Sequence, residues 1–225
     1  MLAHYPVGAG DRVFVDTGVY PVTEGSRILL DGRNMGTATS PLKIYCSTNF
    51  QAGGVLLLGN GTAPGIQIQN ARFIELYNLR ITQAQNGPVL QNVANITFDG
   101  LESFNNLTNG IVVSQGSDVA VWHSRIWKNG QYGYSTTGSR GNEALLNSTL
   151  WGNRAVAVWC DLGLNVFNSI LCVTNATRIF TESGLGSMHG DYNMYGLVSG
   201  SQIGSNEFAR VAYANMLQWQ AKGRD

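Results

Sequence analysis

The sequence predicts an all-β solenoid, and three observations carry that prediction. Glycines at 65, 87, 110 and 133 recur at spacings of 22, 23 and 23, and Ala155 and Arg178 continue the series. Between them, short apolar runs alternate with polar residues at a period of two, the signature of strands with one buried face. Clusters of Gly, Asn and Ser separate the runs and supply tight turns. Strands this short cannot bury a face alone, whereas stacking coil on coil encloses a continuous core. The architecture that follows is a right-handed parallel β-helix of about 22 to 23 residues per coil, ending in a short helix. A leucine-rich repeat is disfavoured because L-x-x-L-x-L is missing, and a left-handed hexapeptide helix because no six-residue repeat exists.

The elements fall in order along one domain, 1–225. Residues 1–64 read as irregular first coils, with alternating runs at 12–16, 27–30 and 42–45 and an insertion or irregular turn over 46–64. Residues 65–177 form the regular coils. Aligned on their first residues, they give apolar columns: Ile68, Leu90, Val113, Thr136, Val158; then Leu76, Phe98, Val121, Leu145, Val166; then Ile81, Ser103, Ile126, Leu150, Leu171. Residues 178–225 form a last coil and cap. The stretch 186–204 departs from the repeat, and 215–222 reads as a helix with Asn215 as its cap and Gly223 as its stop. Leu217 and Trp219 of that helix are expected to cover the last coil or dock on its flank.

Polar columns share the register. Asn78, Gly100, His123, Asn147 and Asn168 form a turn column, suited to left-handed backbone. Asn106, Asn129 and Asn153 form another. Arg80, Glu102, Arg125 and Thr149 form an outward charged column, worth about 0.2–1 kcal/mol per opposed pair. Phe104, Trp127 and Trp151 form an outward aromatic column, and Tyr77, Trp122, Leu146 and Phe167 line a second.

Composition excludes several classes. Charged residues are 12% of the chain, about half the usual share. Lys plus Arg and Asp plus Glu balance at 14 each, with no basic stripe, so nucleic acid is not an expected partner. No run of 18 apolar residues exists, so no membrane span is expected. Residues 1–10 lack the charged start and long apolar stretch of a secretion signal. Cys46, Cys160 and Cys172 are too few and too scattered for a disulfide framework and read as core residues, and no metal-ligand spacing occurs.

The phrases GDRVFVDTGVYPV and GTATSPLKIYCSTN, the element NSTLWGN from Asn147 to Asn153, and the tail HGDYNMYG with MLQWQAKGRD resemble bacterial secreted right-handed β-helix repeat proteins of the pectate-lyase-like superfamily. The resemblance covers nearly the whole chain. It implies an extracellular or cell-surface location and a piece of a larger modular protein, its secretion signal upstream or removed. It also implies polysaccharide chemistry, but the motifs of the superfamily's polygalacturonases (N-T-D, G-H-G, R-I-K) and alginate epimerases (D-P-H-E) do not occur. A lyase needs an Arg or Lys base beside calcium-binding carboxylates. Candidate acids are Asp99, Glu102, Asp118 and Glu143; candidate bases are Arg80, Arg125 and Lys128.

The best catalytic constellation is Arg80, Glu102, Arg125 and Lys128, for which the plainer reading is an inert salt-bridge ladder. His123 reads as a turn residue. The candidate ligand-binding residues are Phe104, Trp122, Trp127 and Trp151, flat rings able to stack on sugars or simply to pack. The expected function is a non-catalytic extracellular module that presents a surface to polysaccharide or to neighbouring modules of its chain. The alternative is a polysaccharide lyase or glycoside hydrolase, which as a lyase would add calcium; otherwise no cofactor or metal is expected.

Overall fold

The computed structural model describes residues 7–139, 141–174, 178–183, 188–197, 202–206, 211–215, 217–218 and 221. The chain winds into a parallel β-helix of three sheets. Sheet I holds eight strands, from Arg12–Val15 through Arg72–Tyr77, Ala94–Asp99 and Ser117–Trp122 to Met188–Asp191. Sheet II holds eight, from Gly18–Val22 through Arg80–Thr82, Glu102–Phe104, Arg125–Trp127 and Thr149–Trp151 to Met194–Gly196. Sheet III holds nine among the described residues, from Ile28–Leu30 through Tyr132–Thr137 and Val156–Cys160 to Val211–Tyr213, which pairs antiparallel with its neighbour where the other described strands pair parallel. Each coil contributes one strand to each sheet in the order I, II, III.

Positive-φ residues turn the corners of the regular coils. From sheet I to sheet II the turn residues are Asn78, Gly100, His123, Asn147 and Asn168, with φ of 57, 73, 47, 49 and 50°. Asn and Gly tolerate this backbone most readily. The repeated glycines answer a different demand. A Cβ at Gly110 would lie 2.2 Å from Ile126 Cγ2 and 2.5 Å from the carbonyl oxygen of Gly133. The glycine column is where one coil presses against the next.

The core is one stack of columns. Leu76, Phe98, Val121, Leu145 and Val166 stand in register and are buried, as do Ile81, Ser103, Ile126, Leu150 and Leu171. Two buried polar ladders run beside them. Asn129 Oδ1 accepts the backbone N–H of Asn106 at 3.1 Å and its side-chain amide at 3.0 Å, and Asn153 does the same for Asn129 at 3.0 Å each. At the I–II corner, the hydroxyls of Ser124, Ser148 and Ser169 each accept a backbone N–H from the coil before, all at 3.1 Å.

The structure corrects the register of sheet III. Thr136 stands against Cys160, 24 residues on, and Val158 against Tyr134. The turn around Gly138, Gly141 and Asn142, all of positive φ, lengthens that coil. Regular strands also extend past 65–177. Val55–Gly59 joins sheet II with Val55 and Leu57 buried, and Met188–Asp191 and Met194–Gly196 continue sheets I and II. Cys46 and Cys160 are buried, Cys172 is half-buried, and all three are free. The helix expected over 215–222 is not established, since Trp219 and most of its neighbours lie outside the described residues; Leu217, expected to cover the last coil, is exposed.

Candidate functional site

Period-two alternation puts every second side chain of a strand outside. On sheet II this yields two outward columns. One runs Arg80, Glu102, Arg125, Thr149; the other runs Phe104, Trp127, Trp151, Cys172.

In the charged column, Glu102 bridges both arginines. Its Oε2 accepts from Arg80 Nε at 2.6 Å, and its Oε1 pairs with Arg125 Nη2. Arg80 also donates to the carbonyl of Gly53 at 2.8 Å. Both carboxylate oxygens are therefore engaged. Lys128 does not join this cluster. The positive φ of 53° at Lys128 turns it out of the strand, and its Nζ lies 5.3 Å from the Trp127 ring centroid and 5.2 Å from that of Trp151. It is a cation over two aromatic faces.

The aromatic column is a graded stack. Phe104 and Trp127 are parallel, 4.7 Å apart at an interplanar angle of 3°. Trp127 and Trp151 are 6.4 Å apart and splayed by 36°. The next positions, Cys172 and Gly196, carry no ring, so the stack ends at Trp151, which is 39% exposed. Phe104 covers one face of Trp127, Lys128 lies beside the rings of both tryptophans, and Trp151 is the most exposed of the three rings. Trp122 is separated from these three: it stands on sheet I, across the corner, 41% exposed.

The other sequence candidates disperse. Glu143 is fully buried inside the solenoid, where its Oε2 accepts from the Tyr134 hydroxyl at 3.0 Å. It is an interior residue, not a surface acid. Asp118 stands away from the arginines, beside a shallow polar cleft shared with Thr37, Asn95 and Thr97. His123 turns its corner as expected, but its Nδ1 also meets Asp99 Oδ1 at 2.8 Å. Sequence reasoning missed that pair because its members occupy different positions of adjacent coils. The pair lies beside a cavity of about 170 Å³ lined by Asn78, Arg80, Glu102 and Arg125 as well as His123.

Calcium takes six to eight oxygens, with more than one free carboxylate. Here Glu102 is taken by two arginines and Asp99 by a histidine, and no group of three acid, His or Cys side chains converges among the described residues. The donors present do not fit a calcium site. No helix among the described residues is long and apolar enough to cross a membrane.

The family described as right handed beta helix region matches residues 57–177. Among solved structures, pectate lyase Pel9A superposes with a TM-score of 0.70 at 13% identity, covering 85% of this chain and 56% of its own. An alginate lyase from Paenibacillus sp. str. FPU-7 superposes with a TM-score of 0.50 at 13% identity, covering 83% of this chain and 89% of its own. These likenesses establish the fold. The chain spans about half the length of the pectate lyase. No curated protein matches the sequence.

Proposed function

Since the chain belongs to the right handed beta helix region family, we propose that it is a non-catalytic, extracellular carbohydrate-binding module of a larger protein, holding polysaccharide on the outer face of sheet II. The observation that carries this reading is the aromatic stack that ends in the exposed ring of Trp151 with Lys128 over it. A sugar ring has apolar faces and a hydroxyl rim, so it stacks on such a ring while its edge stays wet. The charges select among polysaccharides. Arg80, Arg125 and Lys128 against Glu102 leave this face with a net positive charge, which favours an acidic chain. A rigid sheet holds the groups without an ordering cost on binding.

Two features speak against chemistry at this face. Glu102 is neutralised by the two arginines, so neither partner stands as a free base. Lys128 is spent on the tryptophans. Fold alone does not decide function, because sites are grafted on folds. The lyase or glycosidase reading rests on the likeness to pectate lyase Pel9A and on the Asp99–His123 pair.

Both are tested together. Affinity electrophoresis against alginate, polygalacturonate and neutral glucans is expected to show retardation by an acidic chain. Trp151→Ala should weaken it about tenfold, roughly 1.4 kcal/mol, and Lys128→Ala should make the remainder less sensitive to salt. Binding unchanged in Trp151→Ala removes the proposal. Incubating the same polymers and following the ultraviolet absorbance of unsaturated product tests the alternative; turnover that Arg125→Ala abolishes would establish a lyase.

A further inference from the structure

On sheet I the outward column next to the corner reads Phe14, Tyr45, Tyr77, Asp99, Trp122, Leu146. Three successive rungs carry rings, with centroids 5.3 and 4.7 Å apart and interplanar angles of 16° and 10°. The fourth rung breaks the series with a carboxylate, and the fifth restores it as Trp122. Adjacent strands lie about 4.8 Å apart, so Tyr77 and Trp122 are separated by two rungs, about 9.6 Å. A guest sandwiched between them needs one contact of about 3.5–4.0 Å on each face. By strand spacing, the missing ring leaves the height of one puckered ring above the Asp99 carboxylate.

The walls and floor are fixed. Tyr77 has Tyr45 stacked behind it, and its hydroxyl donates to Glu75 Oε2 at 2.5 Å. Trp122 has Leu146 behind it and meets the His123 ring edge-on at 6.4 Å and 83°. The Asp99 side chain is 34% exposed and is held through Oδ1 by His123, while its Oδ2 has no hydrogen-bond partner among the described residues.

We propose that this gap binds one uncharged pyranose ring of a glycan, its faces against Tyr77 and Trp122 and its hydroxyls donating to Asp99. A purely apolar guest would desolvate the carboxylate without a partner. An acidic sugar would meet a like charge at the floor. A cationic guest would meet the arginine pair across the corner, which Glu102 only half neutralises. The site is independent of the sheet II reading, since it uses neither Trp127 nor Trp151.

The test fills the gap. In Asp99→Phe a ring occupies the empty rung and continues the stack from Tyr77 to Trp122. Wild type and variants are titrated calorimetrically with maltohexaose, cellohexaose, mannohexaose and hexagalacturonate. At least one neutral hexaose is expected to bind, with Asp99→Phe and Trp122→Leu each weakening it tenfold or more and Trp151→Ala leaving it unchanged. Circular dichroism and thermal melting confirm that each variant is folded; should Asp99→Phe not fold, Trp122→Leu alone decides. No binding of any neutral hexaose, or binding indifferent to the filled rung, overturns the proposal. Loss of hexagalacturonate binding in Trp151→Ala alone speaks to sheet II and leaves this site untouched.

Discussion

Glu143 is a carboxyl enclosed in the solenoid interior, facing Tyr134, Thr136, Ser139 and, from the next coil, Asp161. Burial pushes its proton affinity above the ordinary carboxyl value of 4.5; the three hydroxyls pull it back by less, and Asp161 adds to the rise. The folded state therefore holds this proton more tightly than the unfolded chain does. Its contribution to stability is full below about pH 4.5 and is lost as pH rises through the raised folded value, at up to about 1.4 kcal/mol per pH unit within that window. Urea midpoints measured from pH 4 to pH 8 should show this decline in the wild type, and Glu143→Gln should remove it. A wild-type and variant pair with parallel pH profiles would mean that the carboxyl is ionised in the fold at neutral pH. The residue shows a limit of reading sequence. Glu143 stands two residues before Leu145 and so on the same inward face of its strand, yet residue type alone groups it with the surface acids; the period-two rule applied to the Leu145 column would have placed it inside.

At the scale of the element, the ladders do what the apolar columns do not: they fix register. Asn129 spans three coils. It accepts from Asn106, donates its side-chain amide to Asn153 and to the carbonyl of Ser103, and is buried throughout. Asn129→Ala takes the acceptor from the Asn106 backbone N–H and one partner each from the Asn106 side-chain amide, which keeps Ser103 Oγ, and from the Ser103 carbonyl, at about 1–3 kcal/mol for each buried group left unpaired. Asn147→Gly, in the exposed turn column where a φ of 49° suits glycine, should lose less than about 1 kcal/mol. Chemical denaturation of the two variants measures the contrast, and equal losses would deny the ladder its role. This asparagine column was legible because its members keep the 22–23 residue spacing. The serine ladder, the Asp99–His123 pair and the ring stack of Phe14, Tyr45 and Tyr77 were not. The first looks like ordinary turn composition, and the second joins unlike positions. The third is spaced at 31 and 32 residues by the long excursions of the first coils. Sheet III shows why a wrong spacing still gave the right face. The slip there was two residues, and a period-two strand keeps its inward set under a slip of two but inverts it under a slip of one.

For the whole molecule, a solenoid is close to one-dimensional: each coil touches only its neighbours, so stability is a sum of coils and interfaces. That property permits a coil to be removed. Excising 110–132 joins Asn109 to Gly133, which occupies the place Gly110 held. The columns then close on their next members. Phe98 meets Leu145, Ser103 meets Leu150, Phe104 meets Trp151 and Asn106 meets Asn153, each partner now one rung nearer. Like is set against like for Phe98 and Leu145, for the two rings and for the two amides, while Ser103 exchanges one apolar neighbour, Ile126, for another, Leu150. The shortened chain should fold with strand-type circular dichroism and one cooperative transition. Its denaturant slope should fall by about a tenth, in proportion to the 23 residues lost from 225, because that slope follows the surface exposed on unfolding. It would also lack Trp122, His123, Arg125, Trp127 and Lys128, so the sheet I site should vanish from a folded protein, and the sheet II site, keeping Trp151 on Phe104 but losing Arg125 and Lys128, should bind an acidic chain more weakly. A broad, non-cooperative melt would show instead that the coils are not interchangeable and that the register depends on contacts longer than nearest neighbours.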